Sequence, residues 1–128
     1  MNHAAGTFFL LPKQVFGLGL STGELAVYTY LMYLEDRKKF QCWPSYGKIG
    51  SAIAKSKNSV KKYVDGLVEK QLITVEPTRV ITQGGEARNG SLLYTLQPIS
   101  RAVDYFNERQ YEKALVENER RRVEKLGK

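Results

Sequence analysis

Between Ser45 and Lys70 the chain carries two helical patterns with only a residue or two between them, around Lys55. Few folds accommodate such a junction. Pro44 stands directly before Ser45, a residue type that caps helix N-termini by accepting a hydrogen bond from a first-turn N–H. The helix opened there is predicted to run to about Ala54, with Ile49 and Ile53 as its inward stripe. Ser56 is the next cap, and its helix is predicted to run to about Lys70. Val60, Val64, Leu67 and Val68 fall within one arc at 3.6 residues per turn and are its expected inward face. So tight a turn forces a large crossing angle and turns the start of the later helix outward.

The flanking segments extend the pattern. Ser21-Thr22-Gly23-Glu24 reads as a capping box, in which serine and glutamate each satisfy a backbone N–H of the other. The helix that follows should reach about Glu35. Its apolar residues (Leu25, Val27, Tyr28, Leu31, Met32, Leu34) spread around most of the wheel, which predicts burial on more than one side or a place in an interface. Upstream, Phe8 to Leu11 is a short apolar run ended by Pro12, expected as a strand or an extended arm tucked against the core. Asp36 to Lys39 is a charged break, and Phe40 to Trp43 suits a short strand. Leu72 to Ile81 is rich in β-branched residues and should be a strand. Thr82 to Ser91 is expected as a hairpin tip, since Gly84-Gly85 and Asn89-Gly90 are both hairpin-type dipeptides, and Leu92 to Leu96 as the returning strand. After Pro98 a helical pattern resumes at Ser100, with Val103, Phe106, Gln110, Ala114, Val123 and Leu126 expected on one side.

Helix, short strand, helix, helix, hairpin is the order of a winged helix. The expected fold is therefore mainly α with a small β-wing (α+β): a winged helix-turn-helix over residues 1–99, with an extra C-terminal helix over 100–128.

Composition narrows the chemistry. The 128 residues carry a net charge of +7, which attracts polyanions at long range. Residues 1–100 hold twelve Lys/Arg against seven Asp/Glu, and Lys55, Lys57, Lys61 and Lys62 cluster with no acid between them. The single cysteine, Cys42, and the single histidine, His3, make neither a disulfide framework nor a zinc site nor a nucleophile pair. No phosphate-binding glycine-lysine loop or catalytic triad is legible, so neither an enzyme nor a cofactor is expected, and no small-molecule ligand is evident. No apolar run of about 18 residues suggests a membrane span, and no secretory signal is recognisable; a cytoplasmic protein is the expectation.

The basic cluster coincides with the outward start of the later helix. Placing Val60 toward the core sends Asn58, Ser59 and Lys62 outward, with Lys61 at the border. Asn can pair with adenine N6/N7, Lys can donate to guanine O6/N7, and Ser is tolerant. Ser56, with the free N–H groups of its first turn, suits a backbone phosphate, and Ser45 and Tyr46 are candidates at the start of the preceding helix. Asp65 and Glu69 lie further along the same face and would repel phosphates, so only the N-terminal half should enter the major groove. Taken alone, Lys57, Lys61 and Lys62 also fit an ordinary solvated helix face. Two capped helices, a tight turn and a hairpin together favour duplex DNA. On the hairpin, Arg88 and Asn89 are candidates for a wing contact with the DNA backbone or minor groove.

Several segments resemble the winged helix-turn-helix proteins of Gram-positive bacteria and their mobile elements, including the N-terminal domains of plasmid replication initiators and of DnaD-like primosomal proteins. The segments are Leu11-Pro12, Leu20 to Tyr28, Trp43 to Tyr46, Ile49-Gly50, Ser56 to Tyr63 and Leu67 to Ile73. The resemblance spans about residues 8–99 and implies base contacts by Lys57, Asn58, Ser59, Lys61 and Lys62. Two places depart from it. Ala54 and Lys55 stand where relatives place glycine and an apolar residue, and Gln71 stands where relatives often have glycine. The implied function is sequence-specific double-stranded DNA binding, in transcription regulation or in replication initiation of a plasmid or mobile element. The alternative is a protein-interaction module of a replication or partition complex on the same scaffold.

Residues 101–128 hold eight Lys/Arg and six Asp/Glu. Three readings fit: a dimerisation helix presenting two recognition helices to a two-fold site, a helix that packs on its own domain and then frays, or a basic tail on DNA. A homodimer through this helix is favoured.

Overall fold

The computed structural model describes residues 8–127, apart from the side chains of Val80, Ala87, Arg88 and Asn89. His3 lies outside the described residues.

A short 3-10 turn at Lys13–Gly17 precedes the first helix and buries Val15. No regular apolar spacing accompanies this turn, so periodicity does not announce it. Helix α1 spans Thr22–Leu34 and begins with the expected capping box. Glu24 N–H donates to Ser21 Oγ at 3.1 Å, and Ser21 N–H donates to Glu24 Oε1 at 2.8 Å. Val27, Tyr28 and Leu31 of α1 are buried and Leu25, Tyr30, Met32 and Leu34 pack partly against the core, so α1 is enclosed on more than one side.

Strand β1 is only Gln41–Cys42. Helix α2 follows at Tyr46–Ile53 and helix α3 at Lys57–Glu69. Both start on the expected serine caps: Lys48 N–H donates to Ser45 Oγ at 3.0 Å, and Ser59 N–H to Ser56 Oγ at 3.2 Å. Of the four expected inward residues of α3, Val60, Val64 and Leu67 are buried, but Val68 is 38% exposed. Val68 sits at the edge of the apolar arc, about 80° from Val60 at 100° per residue, on a flank that no other element covers.

The two departures from the resemblance have one physical cause. Ala54 closes α2 at φ 60° and Gln71 follows α3 at φ 66°, both left-handed conformations. Glycine adopts that region without the Cβ penalty, so its place in relatives is a backbone requirement that Ala54 and Gln71 meet at a cost.

Strands β2 (Ile73–Ile81) and β3 (Ala87–Leu96) form the wing, and the sheet order is β1-β3-β2, antiparallel throughout. The hairpin differs from expectation. Its tip is Thr82 to Glu86, closed by Gly85 N–H to Thr82 O at 2.9 Å with Gly85 at φ 80°. One glycine pair thus makes the turn, and Asn89-Gly90 lies inside β3. The register shifts there: Pro77 pairs with Leu92 but Arg79 with Asn89, so Gly90 falls at a bulge. Pro77 lacks an N–H, which the outer position of β2 tolerates.

Of the strand or extended arm expected over Phe8 to Leu11, no strand forms. Phe8 and Leu10 are 69% and 87% exposed, and only Leu11 packs on the core. Phe9 leans on Tyr33 of α1, ring centroids 6.0 Å apart.

Helix α4 runs from Ile99 to Leu126. Ala102 is buried and Ile99, Val103 and Phe106 pack on the core, so the start of α4 belongs to the same core as the helices and wing. Val123 and Leu126 do not share that side. At 100° per residue they project roughly 100–160° away from Val103 and Phe106, because the spacing 103, 106, 110, 114 does not continue to 123 and 126 in phase.

Candidate nucleic-acid interface

The outward end of α3 is set by what its other faces touch. One flank meets α1 so closely that a Cβ on Gly66 would run into the Glu24 carboxylate. Glu24 is 7% exposed and receives a 2.6 Å ion pair from Lys70, whose ammonium also donates to Gly19 O at 3.2 Å. Burial pushes the Glu24 carboxyl up, yet the Lys70 ammonium and the Ser21 N–H outweigh it and hold the group below its ordinary value. The start of α1 is thereby fastened to the end of α3.

At the opposite end α3 is open. Lys57, Asn58, Lys61 and Lys62 are all exposed. Asn58 and Lys62 point directly away from Val60, with Asp65 and Glu69 following on the same line, as the wheel predicts. Lys61 pairs with Asp65 at 3.3 Å, but both side chains are more than 60% exposed, so the pair contributes little and leaves the ammonium free to exchange partners. Ser59 is half-buried, and its hydroxyl accepts from Ser56 Oγ at 3.1 Å. Ser56 and Ser59 thus satisfy one another at the helix start, where the wheel placed Ser59 among the outward residues.

Lys57 occupies a particular position. A Cβ on Gly47 would lie 3.2 Å from Lys57 Cε and 3.9 Å from Ser45 Oγ. The lysine stem therefore lies across the first turn of α2, and the exposed Lys48 stands in the same turn. Lys48 was not among the residues singled out from the sequence; its place three residues after a serine cap is the signal that would have found it. Tyr46 is half-buried and packs against the core. Arg88 and Asn89 lie on the β3 backbone beside the hairpin tip, opposite Val80 and Arg79, with side chains outside the described set.

Cys42 is buried beside the Leu31 carbonyl, and burial together with the nearby Glu35 carboxylate pushes its thiol up to about 11, so it is a protonated core residue. Among the described residues no three His, Cys, Asp or Glu side chains gather to hold a metal ion. No described helix is long and apolar enough to cross a membrane.

Residues 18–73 match a helix-turn-helix domain family. No curated protein matches the chain. Among solved structures the chain is similar to one described as a possible transcriptional regulator from Methanosarcina mazei Go1. The two share 14% identity at a TM-score of 0.52, over 83% of this chain and 82% of that one. It is also similar to Staphylococcus aureus MepR in a complex with DNA, at 13% identity and TM-score 0.44 over 89% and 86% of the two chains. A third is the zinc-responsive MarR family member ZitR of Lactococcus lactis, at 17% identity and TM-score 0.45 over 88% and 68%. At such identities the Methanosarcina likeness is one of fold, a winged helix: α+β with a three-stranded antiparallel sheet.

Proposed function

We propose that this protein binds double-stranded DNA sequence-specifically, with the first two turns of α3 in the major groove. The observation that carries the reading is the exposed cluster Lys57, Asn58, Lys61 and Lys62 at the start of α3. Asn58 and Lys62 are the base readers in this reading. Lys57, Lys48 and the capped starts of α2 and α3 at Ser45 and Ser56 face the phosphates, and the wing brings Arg88 and Asn89 to the neighbouring backbone. The helix-turn-helix match over residues 18–73 supports it.

Of the two cellular roles, transcription regulation is the one carried by the Methanosarcina neighbour's own description. Replication initiation on a plasmid or mobile element rests on the sequence resemblance. Pairing of two copies through α4 would present two recognition helices to a two-fold site.

A salt series on a duplex selected from a random pool tests the reading. Lys57→Ala should weaken binding and reduce the slope of log K against log salt by about 1, and Lys62→Ala should weaken binding and relax the sequence preference at one position. Wild-type binding by both variants across the series would remove the major-groove assignment. No duplex affinity of the native protein at low salt would favour a protein-interaction module instead. For pairing, the cut belongs after Gln110, because Ala102, Val103 and Phe106 are part of the core. Removing 111–128 should turn a dimer mass into a monomer mass.

A further inference from the structure

Helix α4 extends about 42 Å at 1.5 Å per residue, and only its first two turns meet the domain. Every residue from Asn107 to Gly127 is exposed. A free helix of that length has a marginal balance in water without a packed face. The ion pairs it makes with itself, Glu117 with Arg120 and Arg121 and Glu119 with Arg122, are exposed and span 3.5–3.9 Å, so they add little. Yet this segment carries exposed apolar side chains at Tyr111, Leu115, Val116, Val123 and Leu126. At 100° per residue they fall in an arc of roughly 140°, centred about 160° from the side that docks on the domain. Glu108, Glu112, Glu119 and Arg122 share that arc, so the far side of this projecting helix interleaves apolar and charged side chains and suits an occupant that matches both.

The charge along the helix identifies that occupant. Residues 108–119 hold four acids and two bases, whereas residues 120–127 hold four bases and one acid. The acidic half and the basic half complement each other only when two such helices run in opposite directions.

We propose that a second copy of this chain covers the face, with its α4 antiparallel and the crossing centred between Asn118 and Glu119. This deepens the pairing through α4 suggested above and rests on it. At that centre Tyr111 stands level with Leu126 of the partner subunit. Glu112 and Glu119, which lie within the arc, each stand about one turn along the axis from Arg122 of the partner subunit. Leu115 meets Arg122 of the partner subunit, whose aliphatic stem covers it while the guanidinium stays in water. A parallel pair would instead stack acid on acid and base on base along the whole length. Because docking and pairing use opposite sides of α4, each domain lies outside the pair and keeps its α3 end free.

Cross-linking in the full chain tests the direction. Tyr111→Cys and Leu126→Cys are placed on exposed positions, and the native Cys42 is buried. Under mild oxidation a mixture of the two variants should give a covalent dimer, while neither alone should, since like positions are held roughly 22 Å apart. Covalent dimer from each variant alone would mean a parallel pair and overturn the proposal. A dimer mass for the wild type with no cross-link in the mixture would also overturn it, placing the interface elsewhere while leaving dimerisation intact. A monomer mass for the wild type would remove both the direction and the pairing on which it rests. Circular dichroism of each variant checks that α4 is still helical.

Discussion

Lys70 Nζ lies 2.6 Å from Glu24 Oε1, joining residues 46 positions apart in the chain. The carboxylate is almost wholly enclosed and the ammonium about one third exposed. Removing either partner leaves a charge short of compensation, and the larger loss comes when the buried one is left alone. Lys70→Ala should therefore cost more than Glu24→Gln, the former about 2 kcal/mol or more, measured by urea unfolding. Equal, negligible losses would make the pair incidental.

The same carboxyl sets a pH dependence. Its folded value lies below the ordinary one, so the unfolded chain takes up the proton first as pH falls. The stabilisation is fully present above the ordinary carboxylate range and is lost on acidification through the folded value. Unfolding curves from pH 6 to pH 3 should show a steeper fall for the wild type than for Glu24→Gln.

Gly66 allows the contact. A methyl group there would enter the space of the Glu24 carboxylate, so Gly66→Ala should destabilise despite its better helix propensity. Combined with Glu24→Ala the loss should largely vanish, because the clash has gone. An additive double variant would show that the glycine matters for another reason.

Ala54 and Gln71 offer the opposite test. Each holds a left-handed backbone that costs an L-residue roughly 1–2 kcal/mol, part of which glycine returns as unfolded-state entropy. Ala54→Gly and Gln71→Gly should each raise stability by about 0.5–1 kcal/mol. A lower melting temperature for both would contradict the backbone account.

Ser56 and Ser59 should separate stability from recognition. Ser56→Ala removes the α3 cap and should cost about 1 kcal/mol of folding stability. Ser59→Ala should leave the DNA sequence preference unchanged, because its hydroxyl is engaged with Ser56. A changed preference on selection from a random duplex pool would return Ser59 to the base readers.

What the sequence made legible was local. The caps at Ser21, Ser45 and Ser56 announce their helices within three residues, and the outward line Asn58 to Lys62 follows from where Val60 must point. Periodicity could not settle Val68, because an arc's edge is buried only if a neighbour covers it. Nor could it choose between two glycine dipeptides in the hairpin, where a register shift beside Pro77 decided the matter. Glu24 and Lys70 were each readable as a cap and a helix end, but their bond depends on how α1 crosses α3. Tyr46 follows a cap, which makes it a candidate contact in the sequence; that its side chain lies half-buried against the core depends on tertiary packing.

The two-residue strand β1 has a mechanical consequence. Cys42 pairs with Tyr94 in the middle strand of the sheet, two residues before Pro44 and three before the Ser45 cap. The thread leading into the α2–α3 unit is thus stitched to the wing, and the wing cannot swing without dragging that unit along. A ligand gripping both would meet a body already set in its final shape. It would forgo little chain entropy on docking, and a loosened β1 should weaken both grips together.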